Sequence, residues 1–126
     1  VNFLRLAMDA GIAVGVGSSA PPENIAFTLD GLDLRKYFAA IVNGSEVSVG
    51  KPAPEVYLKL AEKLGAKAED SIVLEDALSG IDAGKNAGAK VIGLATTHPA
   101  HEISHSDLVI NDFNGLTVDK LTSIFD

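Results

Sequence analysis

A chain of 126 residues with 47% apolar and 21% charged residues has the length of one domain and enough apolar side chains for a core, which excludes a disordered chain. A formal net charge of −7 without a Lys/Arg cluster argues against a nucleic-acid partner, whose backbone needs a basic face. Without cysteine there is no disulfide frame, which fits a reducing cytoplasm, and no apolar run approaches the length of a membrane span.

In chain order, "VNFLRLAMDAGIAVGVG" opens on Val1 and runs straight into helix-like sequence; Asp9 and Gly11 interrupt it as a signal-peptide core, and an upstream segment is expected. Short β-branched runs at 12–16 (IAVGV), 39–42 (AAIV), 71–74 (SIVL), 90–94 (KVIGL) and 107–110 (DLVI) read as strands. Helical patterns lie between them. Ile25, Leu29 and Leu32 repeat on one face after Pro21 and Pro22, and Tyr57, Leu60, Ala61 and Leu64 share a face that Gly65 terminates. Leu121, Ile124 and Phe125 form a last apolar face behind Thr117 as N-cap. Strands apolar on both faces and separated by helices predict an α/β fold: a parallel sheet of about five strands with helices on each side.

Ligands of such sheets bind beyond the C-terminal strand ends. The first three loops there read "GSSAPPE", "NGSEVSVGKPAPE" and "EDALSG". Ser18 and Ser19 offer hydroxyls and N–H groups ahead of a helix that Pro21 and Pro22 can start, an anion cradle. Lys51 stands before "PAP", whose prolines stiffen its backbone and aim its ammonium. Glu75 and Asp76 repel each other at a buried strand end, and Mg²⁺, which prefers hard oxygen ligands, would relieve that repulsion. The set is chemically suited to phosphate. Each part also has a plain reading: Ser18 and Ser19 as N-cap residues, Lys51 as a solvated lysine, and Glu75-Asp76 as acids favouring a helix dipole. The three in register outweigh those readings.

"VGVGSSA", "GKPAPEVY" and "VLEDALSGIDAGKNAGA" resemble the second, third and fourth motifs of the haloacid dehalogenase superfamily, in its β-phosphoglucomutase-like branch of phosphatases and mutases. The resemblance covers nearly the whole chain, residues 1–126 reading as part of one core domain with a three-layer Rossmann-like architecture. It implies that Ser18 hydrogen-bonds the transferring phosphoryl group, with Ser19 and Ala20 lining the phosphate loop. It implies that Lys51 neutralises developing charge and orients the nucleophile, and that Asp76 binds Mg²⁺ directly with Glu75 beside it, directly or through water. The implied activity is Mg²⁺-dependent phosphoryl transfer through an aspartyl-phosphate on a small phosphorylated metabolite, as a sugar-phosphate phosphatase or a β-phosphoglucomutase.

The family's nucleophile and acid/base are the two carboxylates of an Asp-x-Asp motif on its first strand, and the 126 residues contain no such motif. "FTLDGL" at 27–32 is a near-match around Asp30, but Thr28 holds the nucleophile position and the stretch follows the Ser loop. In the family that first strand is the middle one, between the strands ending here at Gly17 and Leu74. Without that strand and the helical cap, the resemblance leads to the expectation that these 126 residues alone are an inactive part of an enzyme. The missing strand would also leave two strand edges without ladder partners, at roughly 0.5–1.5 kcal/mol per hydrogen bond. A marginally stable chain follows, one that self-associates or takes a complementing segment through those edges. Ala77, where the family often has Ser, and Ala20 each remove a hydroxyl from the site.

Three other readings differ in class. A non-catalytic phosphate- or Mg²⁺-binding module would carry the same motifs without a nucleophile. "GVGSSA" fits a dinucleotide fingerprint, but Pro21 and Pro22 interrupt its turn-to-helix run and no acid ends the next strand. "HEISH" at 101–105 fits a zinc-peptidase motif, but Pro99 and the strand after it leave barely a turn of helix, so a solvated connection is the better reading.

Overall fold

The computed structural model describes residues 2–18, 21–95, 105–112 and 116–125. Among the described residues five strands and five α-helices follow in the order α1 (Asn2–Asp9), β1 (Gly15–Gly17), α2 (Pro22–Gly31), β2 (Ala40–Val42), α3 (Glu55–Leu64), β3 (Ile72–Glu75), α4 (Leu78–Asn86), β4 (Lys90–Leu94), β5 (Leu108–Ile110) and α5 (Val118–Ser123). All five expected strands are present. The first begins at Gly15 rather than Ile12 and continues through Gly17.

The α/β class and Rossmann-like layering hold, but the strands form two parallel sheets rather than one. β1 pairs with β2, Val16 opposite Ile41. β3, β4 and β5 form the other sheet, with Val73 opposite Val91 and Gly93 opposite Val109. The division falls between β1 and β3, where a cavity of about 880 Å³ is lined by both strands, by α1 through Leu4 and Ala7, and by α3 through Leu60 and Leu64.

Alternation along the strands builds the layers. Val73 and Val91 face α4, where Ile81 is fully buried with them. Ile72, Leu74, Ile92, Leu108 and Ile110 face Leu116 and Leu121 of the α5 side. On the smaller sheet, Val42 packs on Val56 and Leu60 of α3. Gly65 stops α3 in the left-handed conformation at φ 70°, which glycine adopts without a Cβ clash. Thr117 caps α5 as expected, its Oγ1 accepting from the Lys120 N–H at 3.2 Å. The predicted α2 face is two residues long, not three. Ile25 and Leu29 are buried, whereas Leu32 stands at the helix C-cap and is 64% exposed.

Candidate active site

Glu75 is the last residue of β3, and its carboxylate turns back over the start of α4. Oε2 accepts from Lys51 Nζ at 2.9 Å and from the Tyr57 hydroxyl at 2.8 Å. Oε1 accepts from the backbone N–H groups of Asp76 at 3.1 Å and Ala77 at 3.3 Å. Ala77, the N-cap of α4, makes no side-chain capping bond, so Glu75 meets donors at the helix entry that a capping side chain would otherwise meet. Burial pushes the Glu75 carboxyl up. The Lys51 ammonium, the Tyr57 hydroxyl and the Ala77 N–H outweigh it and hold the group below its ordinary value. Burial, then the Glu75 and Asp76 charges, push the Tyr57 phenol far up, so it remains a neutral donor.

Lys51 is aimed, as its proline setting predicts. Its peptide bond to Pro52 is cis, its ammonium lies 5.0 Å from the Tyr57 ring centroid, and it is 3.5 Å from the Gly17 carbonyl at the end of β1. Lys51 and Glu75 side chains are only 16% and 12% exposed. The loop bearing Lys51 is braced at its start and near its middle. Asn43 and Glu46 form a reciprocal capping box at its start. The Glu55 carboxylate accepts from the Ser48 and Val49 N–H groups near its middle, at 2.9 and 3.0 Å. Lys63 bonds Glu46 and the Ile41 carbonyl, tying that loop to α3.

Ser18 follows β1 directly, its N–H donating to the Val42 carbonyl at 3.0 Å, and it lines the cavity together with Lys51, Tyr57 and Glu75. Ser19 and Ala20 lie outside the described residues. The three expected loop ends therefore converge: Gly17-Ser18, Lys51 and Glu75-Asp76 meet at the C-terminal edges of β1 and β3. Asp76 leads from β3 into α4 and stands close enough to Tyr57 to act on its ionisation.

A metal of the expected kind matches the donor chemistry. Glu75 and Asp76 are adjacent hard-oxygen carboxylates, and Mg²⁺ is commonly held by one or two carboxylates while keeping several waters. Among the described residues no three His, Asp or Glu side chains gather into a group that could hold a metal.

The decoys resolve differently. Asp30 lies on α2 and pairs on the surface with Arg35 at 2.7 Å. Gly15 and Gly17 serve packing, for a Cβ on Gly15 would come within 2.7 Å of Leu60 Cδ1 and one on Gly17 within 3.2 Å of Val56 Cγ2. Of "HEISH", residues 101–104 lie outside the described residues, and His105 meets Asp82 Oδ1 at 3.0 Å. Two participants escaped the sequence reading. Tyr57 read as one more apolar position of α3, and Glu55 was given no role. The signal for both lay in their nearness to "GKPAP", which brings α3 against the site.

A haloacid dehalogenase-like hydrolase family model matches residues 1–88. The chain is 32% identical over 110 residues to phosphoglycolate phosphatase of Salmonella typhi, covering 85% of this chain and 44% of that protein. It is 41% identical over 89 residues to phosphorylated carbohydrates phosphatase of Thermotoga maritima, covering 71% of this chain and 41% of that one. A crystal structure of a HAD hydrolase, family IA, variant 3, from Entamoeba histolytica superposes with a TM-score of 0.91 at 29% identity, over 98% of this chain and 58% of that one. The chain thus spans about half the length of the proteins it matches. With the family match running across the Ser18 loop, Lys51 and the Glu75-Asp76 strand end, the chain belongs to the haloacid dehalogenase-like hydrolase family.

Proposed function

We propose that this chain supplies the phosphate- and Mg²⁺-holding part of a phosphatase or phosphomutase acting on a small phosphorylated metabolite such as a sugar phosphate. The observation that carries the reading is the convergence of Lys51, Glu75 and the Gly17-Ser18 strand end on one cavity. Both relatives described above are phosphatases, one named for phosphoglycolate and one for phosphorylated carbohydrates, which supports the substrate class.

In this reading Asp76 ligates Mg²⁺ and Glu75 reaches it through water. The bound ion would offset charge on the phosphoryl oxygens. Lys51 holds a fixed positive charge toward the transferring group, and Ser18 with the loop through Ser19 and Ala20 hydrogen-bonds its oxygens. The Glu75 carboxylate and the Tyr57 ring keep the Lys51 ammonium in place before substrate arrives. An aspartyl-phosphate intermediate requires a nucleophile that the 126 residues do not carry as Asp-x-Asp. An extended segment lying in the cavity between β1 and β3, from more of the polypeptide or from another chain, would bring that carboxylate to the Lys51 end.

Phosphate release from an aryl phosphate by the 126 residues alone, with and without Mg²⁺ and beside Asp76→Ala, tests the assignment. The expected result is no turnover, with Mg²⁺-dependent binding of inorganic phosphate by the same chain read separately by calorimetry. Turnover lost with Asp76→Ala would place a nucleophile among the chain's own residues and overturn the requirement for an added segment.

A further inference from the structure

Gly80 occupies the first turn of α4 and is buried there. Alanine would serve a helix better than glycine, so a glycine at this position calls for a spatial reason. The space gives one. A β-carbon built on Gly80 would stand 2.0 Å from both Cδ and Oε2 of Glu75 and 2.2 Å from its Cγ. Nothing can occupy that volume while Glu75 keeps its place.

Gly84, one turn further on, shows the contrast. Its β-carbon would press on Val91 Cγ2 at 2.7 Å and on Val73 Cβ at 3.2 Å, so it sets the spacing between helix and sheet. At Gly80 the obstructed atoms belong to the far end of a flexible acidic side chain. That end lies at a cavity which Glu75 itself lines, so a displaced carboxylate has room to swing without moving the helix.

We propose that Gly80 is a positioning residue: the missing side chain forms the notch that folds Glu75 against α4, where one carboxylate serves Lys51, Tyr57 and the helix entry together. All four hydrogen bonds of Glu75 depend on that folded position. Gly80→Ala turns Glu75 outward, releases the Lys51 ammonium from its 2.9 Å contact, and leaves the Tyr57 hydroxyl without its carboxylate. The consequence for phosphate rests on the functional reading above: groups that orient a metal-binding carboxylate are commonly worth about 10- to 100-fold in affinity or activity.

The test reads the notch without substrate. The chain has two tyrosines, so Tyr37→Phe leaves Tyr57 as the single reporter in protein grown with isotope-labelled tyrosine. The ζ-carbon resonance of Tyr57 reports whether its hydroxyl donates to a carboxylate. In that background Glu75→Ala sets the position expected when the bond is lost. Gly80→Ala should move the resonance to the same position with the fold retained. Adding Gly80→Ala to Glu75→Ala, which has no γ-carbon or carboxylate to strike, should move it no further. A Gly80→Ala resonance that stays at the parent position would overturn the proposal. So would a double variant displaced well beyond Glu75→Ala, since Gly80 would then act on the helix and not through Glu75. Neither result depends on phosphate chemistry. A chain that binds no phosphate would end the functional reading and leave this result standing.

Discussion

Lys51 Nζ and Glu75 Oε2 stand 2.9 Å apart across the division between two sheets that share no strand pairing among the described residues. Lys51 comes from the loop after β2 and Glu75 from the end of β3, so the ion pair links the two halves at the site. Under the proposed function the pair would serve structure and phosphate together. An ammonium already held at the strand ends needs little reorganisation to meet a phosphoryl group.

Breaking that pair from one side should cost more than removing it whole. Lys51→Met leaves a nearly buried carboxylate with one donor fewer, at about 2–3 kcal/mol, somewhat below the roughly 3–5 of a fully buried pair. Lys51→Met combined with Glu75→Gln should be more stable than the sum of the single changes by at least about 1 kcal/mol. Urea denaturation of the four proteins measures the coupling, and strict additivity would show that the two charges do not sense each other.

The α4–sheet spacing makes a second prediction. Gly84→Ala forces a methyl between Val91 and Val73 and should cost about 1–3 kcal/mol, despite alanine's better helix propensity. Thermal unfolding decides the sign. A rise in the midpoint would mean that the helix moves away freely.

Burial should separate two apolar residues sharply. Ile81 has no exposed surface and packs on Val73 and Val91, so Ile81→Ala should lose about 2–5 kcal/mol. Phe27 is 83% exposed, and Phe27→Ser should change stability by no more than about 0.5 kcal/mol. A large loss at Phe27, read by the same denaturation series, would show that its ring is packed in solution and contradict its exposure.

Acid should act through Asp107. Burial raises its carboxyl, but the Val91 N–H at 2.8 Å and the Lys85 ammonium at 3.0 Å outweigh it and hold the folded value below 3.8. A lowered folded value means that its stabilising share is fully present above the unfolded value and fades as pH falls through the folded one. Asp107→Asn should therefore be less stable than the parent at neutral pH, with the gap closing below the ordinary carboxylate range. A gap constant with pH, in denaturation curves taken across that range, would remove Asp107 from the account.

The sequence carried the strands well because each is a short β-branched run bounded by turn residues, and all five formed. The meeting of Lys51 with the Glu75 strand end could be anticipated because adjacent carboxylates and a proline-flanked lysine have few plain reasons to stand in such loops. The exposure of Leu32 could not, since a helix C-cap leaves the periodic face without interrupting the pattern. Nor were the roles of Tyr57 and Gly80 visible. A tyrosine on an apolar helical face looks like core until its hydroxyl is seen against Glu75, and a helical glycine shows its purpose only when the space beside it is filled. Separate sheets could be anticipated only from the family resemblance, because no local pattern states which strands pair.

The central claim is that Lys51 and Asp76 hold phosphate with Mg²⁺. Calorimetric titration of the chain with inorganic phosphate, with and without Mg²⁺, tests it most directly beside Lys51→Ala and Asp76→Ala. The account predicts one phosphate per chain, bound in the presence of Mg²⁺, with binding lost in Lys51→Ala and its Mg²⁺ dependence lost in Asp76→Ala. Phosphate binding that neither substitution nor the removal of Mg²⁺ alters would contradict it.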